Sequence, residues 1–152
     1  MDSTLQAAIL DAARNEPMGR TLGIRVLHVD DGYAAVEMDY RPDAMNNLFG
    51  TAHGGALFAL LDDAFQLAAQ TVGSVSVALN VNITYLAAPE QGSTIRGEAK
   101  EISATRKTAT YELRATGSDG TLLAVCQAVA YRTGKPLPFL PPDRTPDPTS
   151  SG

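Results

Sequence analysis

Cysteine occurs once in these 152 residues, histidine twice and tryptophan not at all, and Lys plus Arg total 12 against 17 acidic residues. Each shortage excludes something. Cys126 by itself makes no internal disulfide, which suits a reducing cytoplasm. His28 and His53, with the cysteine far along the chain, offer no metal-ligand spacing. A net charge of −5 without any run of Lys or Arg argues against nucleic acid and against an anionic membrane surface as partners. Long hydrophobic runs are missing too, so no segment reads as a membrane span. The N-terminal apolar stretch is short, acidic at its flanks and broken by Gln6, unlike a secretory leader. The expected location is the cytoplasm. There is no Gly-x-Ser-x-Gly elbow, which removes the usual setting for a serine nucleophile.

What is present is a core's worth of hydrophobic residues, 44% of the chain, enough for one domain. Three segments are expected: an N-terminal helical extension over 1–19, a main domain over 20–133 and a Pro-rich tail over 134–152. Leu5, Ala8, Ile9, Ala12 and Ala13 recur at helical spacing within residues 3–15, with Ser3 as N-cap and Pro17 as the stop. Strands are expected near 21–29 and 33–40, joined at Asp31-Gly32, and then near 75–87, 93–103, 106–117 and 121–132. In the third strand Val75, Val77, Leu79, Val81, Ile83 and Tyr85 alternate onto one face, with Asn80, Asn82 and Thr84 on the other. Short connections favour antiparallel pairing.

Residues 47–70 are the most informative stretch. A polar loop bearing Asn47, Gly50 and His53-Gly54-Gly55 runs into a helix expected over 54–72. Leu57, Leu60, Leu61, Ala64, Phe65 and Ala68 form its apolar stripe, and Phe58, Ala59, Leu67 and Ala69 extend it around most of the circumference. Such a helix must be covered on several sides, so the pattern calls for an α+β fold with one long helix wrapped by a curved antiparallel sheet of about six strands. Asp62 and Asp63 interrupt the apolar surface, and a carboxylate there requires a partner, water or a chemical task. Phe58 and Phe65 within one turn make Asp62 the more water-poor of the two. Free N–H groups at a helix start can meet a developing anion. Oxyanion donors together with a carboxylate suggest acyl-group hydrolysis.

The ordered set Asn47-x-x-Gly50-x-x-His53-Gly54-Gly55 followed by Asp62-x-Ala64 resembles the hotdog-fold acyl-CoA thioesterases of the PaaI type. The strand Asn80-Val-Asn-Ile-Thr-Tyr-Leu, Gly92 and the Asp119-Gly120 turn continue the resemblance over about residues 20–133. It implies a hotdog fold, dimers often paired into tetramers, and metal-free hydrolysis of a CoA thioester, with coenzyme A bound as part of the substrate and no permanent cofactor. By position it implies Asp62 as nucleophile or general base and the Gly54 N–H as oxyanion donor, with Asn47 and His53 positioning the thioester.

Each of these residues also has a plainer reading. His53 can cap a backbone group, Asn47 can close an Asx-turn, and Gly54 and Gly55 can simply allow close packing. Gln66, one turn beyond Asp62, lines the same pocket or is merely solvated. Asn80 and Asn82 meet substrate or form an exposed strand face. Arg106 and Lys107 hold CoA phosphates or are turn-end charges.

Spacing adds a constraint of its own. Gly54 and Asp62 stand eight residues apart, about 12 Å along one helix at 1.5 Å per residue. An Asp side chain cannot bridge that gap, so a shared thioester requires two subunits and a two-fold dimer. A hotdog hydratase or dehydratase and a non-catalytic acyl-thioester binding module are the competing function classes.

Overall fold

The computed structural model describes residues 1–140; the expected Pro-rich tail lies outside the described residues from 141 onward. Asp2, rather than the expected Ser3, caps the first helix, α1 (Ser3–Asn15), its side chain accepting from the Thr4 and Leu5 N–H groups. Pro17 stops α1 but also starts a second helix, α2 (Pro17–Leu22). Proline lacks the N–H that a first helical position does not need, and its φ is already helical. Glu16 serves as the hinge, closing α1 and capping α2 through the Gly19 N–H. The strand expected from residue 21 therefore begins only at β1 (Arg25–Asp30), after the left-handed Gly23 at φ 71°.

β1 and β2 (Tyr33–Asp39) form the expected hairpin through Asp31-Gly32, with Gly32 at φ 63°. The loop expected over 41–53 contains one short helix, α3 (Pro42–Met45). Then come the long helix α4 (Gly54–Gln70) and β3 (Ser74–Tyr85), β4 (Thr94–Ala104), β5 (Thr108–Gly117) and β6 (Leu122–Pro136). All neighbouring strands pair antiparallel in the order β1-β2-β4-β5-β6-β3. This is the hotdog architecture, one helix held by a six-stranded sheet. β3 does not pair with its successor; it lies beside β6 at the sheet edge, while β4 goes back to β2.

α4 buries Leu57, Leu60, Leu61, Ala64, Phe65, Leu67, Ala68 and Ala69 against that sheet. It sits tightly on Gly97 of β4, where a Cβ would stand 3.0 Å from Leu60 Cγ and 3.3 Å from the Leu60 carbonyl oxygen. The inner face of β6 is built from Ala124, Cys126, Ala128 and Ala130, small enough to let the helix approach. Cys126 behaves as a small buried hydrophobe, burial pushing its thiol up to about 11.

The alternation expected along β3 is corrected by a bulge. The register steps from Ala78↔Ala130 to Asn80↔Val129, leaving Leu79 as an extra residue. Beyond it Val81 and Ile83 oppose Ala128 and Cys126 on the helix side, whereas Val77 before it opposes Tyr131 on the outer side. The six apolar residues thus do not share one face, because an inserted residue inverts a period-two pattern.

Candidate active site

The loop before α4 is closed by its own polar groups. Asn46 and Ala52 form an isolated bridge, and His53 N–H donates to the Met45 carbonyl at 2.7 Å. Asn47 Oδ1 accepts from the N–H groups of Phe49 (2.9 Å) and Thr51 (3.2 Å), and Asn47 Nδ2 donates to Thr51 Oγ1. Gly50 takes φ 73° between them. The Asn47 amide is thus spent on closing the loop, which pushes Leu48 and Phe49 out at 97% and 86% exposure.

At the helix start His53 is the N-cap. Its Nδ1 accepts from Gly55 N–H at 2.8 Å, which leaves Nε2 to carry the ring proton. Gly54 N–H has no partner among the described residues. It therefore retains the unsatisfied donor of a helix N-terminus, where the dipole favours negative charge. Tyr85, which sequence reasoning did not single out, donates from its hydroxyl to the Gly54 carbonyl at 3.0 Å.

Asp62 and Asp63 lie two turns along α4, both half-buried. Burial, with the nearby Glu16 carboxylate adding to it, raises the Asp62 carboxyl above its ordinary value. The Asp62 charge in turn opposes ionisation of the Cys126 thiol on β6, a smaller effect than that thiol's burial. Asp63 turns toward α2, its Oδ2 standing 3.7 Å from where a Cβ on Gly19 would be. Desolvation is stronger there and pushes Asp63 up to about 6, even though Gln66 Nε2 donates to its Oδ1 at 2.5 Å. The expectation that Asp62 is the more water-poor acid is reversed, because α2 covers Asp63 and phenylalanine spacing along α4 carried no information about α2.

The remaining candidates are dispersed. Gln66 sits with Asp63 beside a cavity of about 140 Å³ between α1 and α4. Asn80 and Asn82 oppose Val129 and Gln127 on the outer sheet face, away from α4 of the same protomer. Asn82, Thr84, Glu112, Arg114 and Gln127 line a shallow depression of about 470 Å³ on that face. Arg106 and Lys107 form the β4–β5 turn, and Lys107 carbonyl accepts from Arg132, whose neighbour on β3 is Ser76. Ser76 and Tyr85 are nine residues apart, about 30 Å of strand, so the two cations lie at the opposite end of the sheet from Gly54. Lys107 Nζ is engaged 5.5 Å from the centre of the Tyr131 ring.

Gly54 and Asp62 do share one unbroken helix, so the separation of about 12 Å stands and the pair cannot meet on one carbonyl within a protomer. β3 leaves one edge unpaired, with Val77 and Leu79 exposed along it. Among the described residues no group of three or more His, Cys, Asp or Glu is placed to hold a metal, and no helix is long and apolar enough to cross a membrane.

Residues 49–124 match the model of the Thioesterase superfamily. A protein of Archaeoglobus fulgidus, provisionally named an esterase, is 35% identical over 125 residues, covering 82% of this chain and 80% of its own. The chain belongs to the thioesterase superfamily. The thioesterase is also 28% identical over 120 residues to the acyl-coenzyme A thioesterase PaaI of Escherichia coli, covering 79% of this chain and 85% of that one. The solved structure of E. coli PaaI, from the phenylacetic acid degradation operon, superposes with a TM-score of 0.83 at 26% identity, covering 88% of this chain and 96% of that one. The protein is a PaaI-like hotdog thioesterase. The matched segment contains both Gly54 and Asp62 but leaves out Asn47 and the α1–α2 extension that brings Glu16 to the two acids.

Proposed function

We propose that the thioesterase hydrolyses acyl-CoA thioesters, with the Gly54 N–H of one protomer and Asp62 of another acting on the same carbonyl. The observation that carries this reading is the unpartnered Gly54 N–H at the start of the helix that also bears the half-buried Asp62. The similarity to an acyl-coenzyme A thioesterase supports the choice of thioester.

The carbonyl oxygen binds at Gly54 N–H, where the donor and the helix dipole stabilise the charge that develops on attack. Asp62 either takes a proton from water as the water adds, or adds directly to give an anhydride that water then opens. The carbon–sulfur bond breaks with both electrons on sulfur. A thiol pKa of about 8.5 lets that thiolate leave without strong acid assistance. The products are a carboxylic acid and the thiol of CoA, with coenzyme A bound only as substrate and no metal required. His53 holds the helix start, and Asn47 acts by shaping the loop. Gly55 contributes the N–H that His53 caps. Arg106 and Lys107 lie at the far end of the sheet from Gly54 of their own protomer, so their candidate role, holding the CoA phosphates, would serve a site completed by another protomer, and Gln66 serves Asp63. Dimers form along the open β3 edge, so that the outer-face Asn80 and Asn82 flank the junction. A reducing cytoplasm is the expected location for the single thiol.

The test is thiol release from a panel of aryl, phenylacetyl, short-chain and long-chain acyl-CoA thioesters. Replacing the Gly54 amide by a backbone ester removes the donor without adding an atom to the site, and a fall in kcat of roughly 100-fold or more is expected. Full activity of the ester form overturns the assignment of Gly54. A single turnover in heavy-oxygen water separates the two roles of Asp62, since label enters its carboxylate only if it is the nucleophile.

A further inference from the structure

Glycine is the residue least able to hold its own backbone in place, having no Cβ to restrict φ and ψ. An N–H that must meet a developing oxyanion needs the opposite property. At Gly54 the restriction comes from outside the residue. The Tyr85 ring lies where a Gly54 side chain would begin: a Cβ there would be 2.9 Å from Cζ, 3.0 Å from the hydroxyl oxygen and 3.3 Å from Cε1. The hydroxyl donates to the Gly54 carbonyl at 3.0 Å. On the far side of the same peptide group, Gly55 N–H donates to His53 Nδ1 at 2.8 Å. The peptide joining Gly54 to Gly55 is therefore gripped at both its oxygen and its nitrogen, which fixes ψ of Gly54 and limits where the preceding N–H can point.

We propose that Tyr85 is a positioning residue for thioester hydrolysis, bracing the first turn of α4 so that the Gly54 N–H is aimed at the oxyanion. This rests on the assignment of Gly54 as donor. Tyr85 is the last residue of β3, so the brace ties the helix start to the end of the edge strand. A misaimed donor weakens transition-state binding more than substrate binding, so the brace affects kcat rather than KM.

Tyr85→Phe keeps the ring and removes the hydrogen bond, and Tyr85→Ala removes both. With phenylacetyl-CoA and a short-chain acyl-CoA as probes, Tyr85→Phe is expected to lower kcat about 3- to 10-fold, the size of one hydrogen bond, with KM within about twofold and a melting temperature lowered by no more than about 4 °C. Tyr85→Ala is expected to lose more. The decisive arm repeats Tyr85→Phe in the enzyme carrying the backbone ester at residue 54, where no further loss is expected because the donor being aimed is gone. Full activity of the ester form removes the donor and this proposal together. An impaired ester form with a Tyr85→Phe variant that keeps its kcat, or changes only KM, overturns the role of Tyr85 and leaves the donor standing. Equal losses from Tyr85→Phe in both backgrounds overturn it too, since Tyr85 would then act by another route.

Discussion

Gln66 donates to Asp63 and not to Asp62, although both acids lie within one helical turn of it. The pairing follows from what covers α4 on each side. Asp63 faces the α2 turn at Gly19, and burial raises its carboxyl further than that of Asp62. Two consecutive carboxylates on one helix thereby acquire different environments, and they should answer to different experiments.

Asp63 titrates at about 6 in the folded protein, above its ordinary 3.8. Between those values the folded state binds the extra proton, so the contribution of Asp63 to stability is fully present below about 4 and is lost as pH rises through 6. Asp63→Asn keeps an acceptor for Gln66 and removes the buried charge. At pH 7.5 the variant should be more stable by roughly 1–3 kcal/mol, and its denaturation midpoint should lose most of the slope between pH 4 and 6. Urea melts across that pH range provide the check.

Activity should separate the same two acids in the other direction. Asp62→Asn is expected to lower kcat by about 100- to 10,000-fold, the range for loss of a general base, while Asp63→Asn stays within a few-fold of wild type. Thiol release measured for both variants decides which acid does the chemistry.

Glu16 raises the Asp62 carboxyl through its own charge, so the N-terminal extension should tune the reaction without touching it. Asp62 must be ionised to act. Glu16→Gln should accordingly move the acid limb of the kcat/KM profile to lower pH. An unmoved limb would show that Asp62 does not control that ionisation.

Leu79 stands 60% exposed at the bulge of the unpaired β3 edge. A lysine on such an edge discourages strand pairing at little cost to the monomer. Leu79→Lys should sediment as a folded monomer and lose thiol release. A monomer that still turns over would end the idea of sites shared between protomers.

Gly97 marks a close approach of α4 to β4. A Cβ there presses on the Leu60 backbone carbonyl as well as its side chain, so the helix itself must move. Gly97→Ala should cost about 1–3 kcal/mol in chemical denaturation, the usual penalty for overpacking a filled core.

The long helix was legible because its apolar stripe extends over 17 residues and its start carries His53-Gly54-Gly55. Strand existence was legible from alternation and turn residues, with ends shifted by a few positions. The second helix was hidden because Pro17 carries two opposite signals, stopping one helix and fitting the first position of the next. The β3 bulge was hidden for a related reason: a run of alternating residues looks continuous until its partner strand sets the register. Tyr85 could have been noticed only as an aromatic near a strand end, since nothing in its neighbours along the chain points to Gly54, 31 residues away.

By itself the sequence determined the helix, the loop before it, the free donor at Gly54 and the spacing that keeps Asp62 from reaching it. These are local properties, set by residue type and by the 1.5 Å rise of a helix. Tertiary structure decided which acid is the more desolvated, which face Asn80 and Asn82 occupy, where the cations of the β4–β5 turn lie, and what holds the Gly54 peptide still. Each of those depends on an element distant in sequence packing against another, and a one-dimensional pattern contains no term for that contact.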